Sequence, residues 1–361
     1  MSEHTEHRLG AADAISEAPP ADETSRVERA AAQTDETASW LTRTMNSPGM
    51  RNAALVLVLL FICVIGILTT GDLGENLFAR KSNILTILRL GATTGVVSIG
   101  MTFVIIGGGI DLSVGAIVAL ASVWATTVAT QDYGPAGIVL TAVAVGTAAG
   151  VINGVLVAYG RMAPFIATLA MLVSARGLAE EMSGRKTQTV TRQGFNDFFQ
   201  AEPFGIPALV IMFAVVALIG WLILNRTTFG RRTFAIGGNS EAARLAGINV
   251  KRHTLLLYAL LGFCCGIAAV MILARTTTGT STHGLGYELD AIAAVVIGGT
   301  ILSGGRGTIA GTVIGVLIFA AVNNIFALNN YTTSKQAIAK GLIIVAAVLF
   351  QQRINRNSRS T

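Results

Sequence analysis

Charge is scarce in this chain of 361 residues. Asp, Glu, Lys and Arg make up 13% of it, about half of the roughly 25% usual in soluble domains. That argues against an ordinary water-soluble enzyme. Only 3 cysteines are present. Cys63, Cys264 and Cys265 all sit inside apolar runs and read as small buried hydrophobes, with no spacing for a disulfide framework or a paired-Cys metal site. The 4 histidines (His4, His7, His253, His283) lie in the N-terminal tail or near the ends of apolar runs, and no HExxH occurs. A phosphate-cradling GxxxxGK[ST] is also missing, because the nearest stretch, GGRGTIAG, lacks the Lys-Ser/Thr pair. No catalytic residue, cofactor, metal or nucleic-acid partner is expected.

What is abundant is apolar residues, 52%, and glycine, 40 residues. A chain this apolar calls for lipid as its solvent. Runs approaching the 20 residues that cross a bilayer fall at 53–69, 84–107, 112–130, 136–159, 163–178, 206–224, 255–274, 289–302, 309–326 and 337–350. The expected fold is all-α, a polytopic membrane bundle of about 10 helices with broken Gly-rich segments. Residues 1–50 are polar, lack the charged-start-then-apolar pattern of a signal peptide and read as a disordered tail. Residues 51–352 form the membrane domain, and 353–361 a short second tail.

Cations set the expected orientation. They cluster before the first run (Arg8, Arg26, Arg29, Arg43, Arg51), between the sixth and seventh (Arg226, Arg231, Arg232, Arg244, Lys251, Arg252) and after the tenth (Arg353, Arg356, Arg359). Ten crossings put all three on one side, the cytoplasm, with both termini. Arg161 and Arg306 fall on that side too, while the four cations between Arg176 and Arg192 are an exception.

Two glycine pairs at GxxxG spacing, Gly146/Gly150 and Gly311/Gly315, suit close helix packing in lipid. Two Gly-rich breaks interrupt the runs. The first contains Gly108, Gly109, Asp111, Ser113 and Gly115; the second contains Gly298, Gly299, Gly304 and Gly305. A broken segment in each half is a frequent transporter pattern. A carboxylate at membrane depth must face protein, a cavity or the interface. Asp111 is therefore expected to cap the third helix, with ion or proton coupling and ligand contact as alternatives.

Between the sixth and seventh runs, Asn239 or Ser240 suits an N-cap for a short helix over 241–246 that stops at Gly247. A two-turn helix is marginal in water. It makes sense docked into a partner's groove; otherwise the segment is a solvated basic loop.

Five stretches together resemble permeases of ribose-type sugar ABC importers: GGGIDLSVGAIVALAS, GVINGVLVAYGRMAPFIATLAM, AIGGNSEAARLAGINV, GYELDAIAAVVIGGTILSGGRGTIAGTVIGV and KGLIIVAAVLF. Their order and their spread over about residues 53–350 make the resemblance specific. It implies a non-catalytic subunit of the inner membrane, paired with a second permease copy or paralogue. An ABC ATPase subunit drives it, and a periplasmic binding protein delivers the sugar. It also assigns about 226–253 as the coupling segment, with ATPase contact at Gly238, Asn239, Ser240, Glu241, Ala242, Ala243, Arg244, Leu245, Ala246 and Gly247.

Polar residues in small-residue segments are candidate walls of the passage: Asn153, Thr168, Ser174, Asn323 and Asn324. Each also suits hydrogen bonding between helices. Glu288 and Asp290 are expected to cap the eighth helix or to receive the binding protein. With aromatics only 6% and mostly Phe, sugar affinity is expected to reside in the binding protein. The competing expectation is a self-sufficient secondary transporter in which Asp111 couples an ion.

Overall fold

The computed structural model describes residues 48–72 and 75–357. The tail expected over 1–50 therefore lies almost wholly outside the described residues, as do 358–361. The described residues from 52 onward form one compact unit. Its helices are α1 Pro48–Thr69, α2 Lys81–Ile106, α3 Val114–Ala125, α4 Val128–Gln131, α5 Gly134–Ala158, α6 Pro164–Ser183, α7 Gln193–Phe199, α8 Ala208–Arg226, α9 Thr228–Gly238, α10 Ser240–Leu245, α11 Val250–Thr276, α12 Tyr287–Ile297, α13 Ile309–Leu328 and α14 Thr333–Asn357. Two antiparallel two-residue pairings complete it. β1 (Gly71–Asp72) pairs with β2 (Glu75–Asn76), and β3 (Gln188–Thr189) with β4 (Thr278–Gly279).

Every one of the ten apolar runs holds a helix. Six are long and apolar enough to cross a membrane: α1, α2, α5, α8, α11 and α13. The third run differs from expectation. Its helix stops at Ala125 because Thr126 and Thr127 turn the chain, the Thr127 side chain accepting from the Thr130 N–H to start α4. At 12 and 11 residues, α3 and α12 reach about 18 and 16 Å, roughly half a bilayer. The C-terminal boundary at 352 falls inside a helix, since α14 continues to Asn357.

Glycine sets the tightest contacts. Gly146 and Gly150 of α5 lie on Gly262 and Gly266 of α11, and a methyl added at Gly146 would meet the Gly262 carbonyl oxygen at 2.5 Å and the Gly266 nitrogen at 2.6 Å. Gly311 and Gly315 of α13 pack likewise on Gly298 and Ala294. Such approach lets dispersion and Cα–H contacts hold helices together where water cannot drive them. Antiparallel to α13, α2 is tied to it by the Thr102–Thr312 hydroxyl bond at 2.7 Å and an Asn83–Asn324 amide pair. Its inner two-thirds is buried, from Gly91 to Ile106 with one half-buried position. By contrast α1 exposes Leu57, Phe61 and Leu68, as a helix facing lipid would.

The half-length helices are both entered by chain that turns back into the bundle. After α11, β4 and residues 280–286 run along α3: Gly279 packs on Thr126, His283 Nδ1 bonds Ser122 Oγ at 3.2 Å, and Gly284 sits against Gly115. α12 therefore begins halfway through the bundle, beside the start of α3, which is entered from the opposite end through the first break.

Candidate functional site

The two breaks meet each other and the end of α9. The Gly305 N–H donates to the Ile106 carbonyl at 2.8 Å. A Cβ at Gly304 would lie 3.1 Å from the Gly108 Cα and 2.9 Å from the Gly237 carbonyl oxygen. One at Gly237 would run into the Ile106 carbonyl and come within 2.6 Å of the Gly305 nitrogen. Backbone is thus packed on backbone at all three elements. Gly108, Gly299, Gly304 and Gly305 hold φ between +76° and +87°, where other residues are strained.

Beyond that joint the chain forms two short helices. Thr227 caps α9, accepting from the Gly230 N–H at 3.4 Å. Asn239 Oδ1 caps α10, accepting from the Glu241 and Ala242 N–H groups at 3.0 Å each. Glu241 and Arg244 pair at 2.6 Å, and the guanidinium holds the Glu241 carboxyl below its ordinary range. The chain leaves α10 through Gly247 at φ +82°. α10 stands where the capping pattern placed it, whereas α9 is an addition to the loop expected there. Ala243 is buried and turns inward, but Leu245 is 74% exposed, an apolar side chain with no cover.

Asp111 does not cap α3. Its Oδ1 accepts from the Ser113 N–H at 2.8 Å and the Ser113 hydroxyl at 2.5 Å, and Oδ2 accepts from Asn153 Nδ2 at 3.1 Å. Ser113 itself occupies the N-cap position with no side-chain cap. Asn153 Nδ2 also donates to Ser113 Oγ at 2.9 Å. Asp111, at 1% exposed, therefore pins the first break to α5. The Tyr258 hydroxyl lies over Gly109, within 2.6 Å of where its Cβ would be.

The other expected wall residues part company. Asn153 and Thr168 are fully buried, Thr168 bonding the Pro164 carbonyl of its own helix at 2.9 Å. Asn324 is held by Asn83, with each amide donating to the other at 3.0 and 2.8 Å. Asn323 is half-buried, and its Oδ1 has no partner among the described residues. Ser174 alone among them is exposed, on α6. Asp290 does not cap α12; it takes both oxygens to Lys340 of α14 at 3.0 and 3.1 Å. Glu288 stands in the first turn of α12 with a carboxylate oxygen against Gly115, and it makes no side-chain cap there either.

Two participants escaped the sequence reading. Gly237 carries no local mark that separates it from Gly238. Lys340 did carry one, since a cation inside an apolar run requires an acidic partner.

Replacing Asn83 or Asn324 by Ala is expected to cost about 1 kcal/mol of thermal stability in detergent. The double replacement should cost little more than either alone. Strictly additive losses in that cycle would show that the amide pair is not coupled.

Comparison with known proteins fits this architecture. The family model "Branched-chain amino acid transport system / permease component" matches residues 83–348. The ribose import permease protein RbsC of Bacillus subtilis (strain 168) is 42% identical over 278 residues, covering 76% of this chain and 86% of that protein. RbsC of Escherichia coli K12 is 37% identical, covering 84% and 94%, and the D-allose transport system permease protein AlsC of the same strain is 36% identical, covering 82% and 91%. With the family model spanning well over half its length and relatives this close along most of theirs, the chain belongs to the permease components of ribose-type ABC importers.

Proposed function

We propose that this permease carries a monosaccharide, of the ribose or allose kind its relatives are named for, across the inner membrane in ten crossings. The end bearing α9 and α10 faces the cytoplasm, together with both chain termini. A separate ABC ATPase subunit docks on α10 and supplies the work. A periplasmic binding protein supplies the sugar at the opposite end, and a second permease copy or paralogue completes the passage. The carrying observation is the joint at Gly237, where the element leading into α10 rests directly on both breaks. A pull on α10 reaches the broken segments through backbone contacts, without flexible side chains in between. Broken helices with small-residue interfaces can then take up two packings.

The wall of the passage needs only weak polar contacts, because delivery concentrates the sugar. Asp111, already satisfied by donors from Ser113 and Asn153, holds the first break in this scheme and couples no ion.

The test is ribose uptake into proteoliposomes containing the permease, its ATPase and its binding protein. Uptake is expected to require ATP and both partners, and to survive collapse of sodium and proton gradients. Uptake without the ATPase that stops on adding an ionophore would establish the secondary-transporter reading instead.

A further inference from the structure

A cavity of about 310 Å³ opens between the first turns of α9 and α11, with Thr228 and Arg232 on one side and Asn249, Arg252 and Leu256 on the other. One wall is fixed. His253 is buried there, its Nε2 2.9 Å from the Thr233 hydroxyl and its ring centroid 4.5 Å from that of Phe229. Arg232 and Arg252 both line the cavity, and neither guanidinium makes an ion pair or a hydrogen bond among the described residues. No acidic residue lines it among the described residues. Residues 226–253 hold six Lys and Arg against one acid, Glu241, which is tied to Arg244. The starts of α9 and α11, the positive ends of their dipoles, border the same space. Two unpaired guanidiniums beside two helix starts call for an anion.

The cavity lies at the level where the bundle leaves lipid. Near the end of α8, Arg226 stands 5.5 Å over the Trp221 ring, and Lys251 stands 6.0 Å over that of Tyr159, which follows α5. Trp221 and Tyr159 are exposed, and such rings beside cations mark a membrane interface. From Arg252 an apolar stripe runs along α11. Leu256 and Phe263 are exposed, and Leu260 between them is half-buried. Spaced by three or four residues, these side chains share one face of the helix. Arg252 to Phe263 spans about 16 Å, close to the hydrocarbon depth of one leaflet. A free phosphate would use the cavity alone, whereas a phospholipid uses the cavity and the stripe.

We propose that this cavity holds the phosphate of an anionic phospholipid, with an acyl chain laid along Leu256, Leu260 and Phe263. Arg232 and Arg252 donate to the phosphate oxygens, as basic pockets between helices at a membrane surface do for lipid headgroups. Arg232 lies on α9, which ends at the Gly237 joint, so the lipid steadies the element that leads into α10. The inference requires only that α8 and α11 cross the bilayer, and it stands whatever sugar is carried.

The test is thermal unfolding of the full chain in a neutral detergent. Phosphatidylglycerol, phosphatidylcholine of the same acyl chains, or inorganic phosphate is added. Phosphatidylglycerol is expected to raise the unfolding midpoint, at concentrations severalfold below those at which phosphatidylcholine acts. Arg232→Gln combined with Arg252→Gln should abolish that preference. Arg226→Gln combined with Arg231→Gln removes the same charge outside the cavity and should keep it. Leu256→Gln, which retains both arginines, should weaken the response to phosphatidylglycerol severalfold. An equal response to phosphatidylcholine or to inorganic phosphate would overturn the proposal. So would a preference that survives loss of Arg232 and Arg252, or a response unchanged in Leu256→Gln. ABC ATPase co-purifying with each double variant is measured alongside. Its loss from the Arg232/Arg252 variant, with the lipid preference intact, would assign the cavity to the motor subunit instead.

Discussion

Gly237→Val is expected to abolish sugar uptake while leaving the chain inserted. Any Cβ at 237 falls on the Ile106 carbonyl and close to the Gly305 nitrogen. Both are backbone atoms, so no side-chain rotation relieves the clash. The end of α9 must lift away, and the neighbouring Gly305–Ile106 hydrogen bond at 2.8 Å is strained with it. Overpacking of this kind costs about 1–3 kcal/mol, against a total stability of about 5–15 kcal/mol, so the fold survives. What is lost is the contact through which α10 moves the breaks. Uptake should fall by more than about tenfold, which needs only about 1.4 kcal/mol of lost coupling. Gly238→Ala, where a Cβ meets nothing within 4 Å, is the matched control and should transport normally. Equal uptake by Gly237→Val and Gly238→Ala would show that the joint transmits nothing.

Gly262→Leu is expected to prevent the bundle from assembling. Gly262 faces Gly146 and Gly150 across the α5–α11 contact, and a Cβ there would run into the Gly146 carbonyl and sit 2.8–2.9 Å from the Gly150 Cα and nitrogen. A leucine would have to separate two long helices whose close approach continues to Gly266. The α5–α11 contact is the most extensive between helices among the described residues, and the clash falls on backbone along its length, so the cost should reach about 3 kcal/mol or more. Detergent-solubilised protein should then elute as aggregate in size-exclusion chromatography, with little or none surviving a mild heat step. Gly341→Leu on α14, where a Cβ meets open space, should behave as the parent protein does. A Gly262→Leu variant as heat-resistant as Gly341→Leu would mean that the α5–α11 contact is not what holds the bundle.

Much of the fold could be read in the residues, because lipid imposes simple rules. Apolar runs of bilayer length became α1, α2, α5, α8, α11 and α13, and the GxxxG pairs became helix contacts. Asn239 announced α10 because an Asx side chain before a short helical stretch has one dominant use. The half-length helices were harder. Nothing in the run 112–130 marks Ala125 as an end, since threonine at 126 and 127 breaks a helix only when its hydroxyl finds a local acceptor. The re-entry of 280–286 depends on Gly284 meeting Gly115, a contact between residues far apart in the chain.

The polar residues had two readings each for a related reason. Asn153 and Asn324, polar residues in small-residue segments, suited either a passage wall or a bond between helices. The partners turned out to be protein groups, Asp111 and Ser113 in one case and Asn83 in the other. Asp290 looked like a cap from its place in the first turn, but the cation that claims it comes from α14, fifty positions on. Only the three-dimensional arrangement decides between a helix-to-helix bond and a water-facing group.

The most direct test of the central claim is whether α10 holds the motor subunit. Leu245, apolar and largely exposed, should sit in the ATPase groove, where a carboxylate would be costly. The measurement is the amount of ABC ATPase subunit that co-purifies with the wild-type chain and with Leu245→Glu under gentle detergent, at equal permease recovery. The expected result is ATPase retained by the wild type and lost from Leu245→Glu, with both permeases equally heat-stable. Equal ATPase retention by the two would contradict docking at α10.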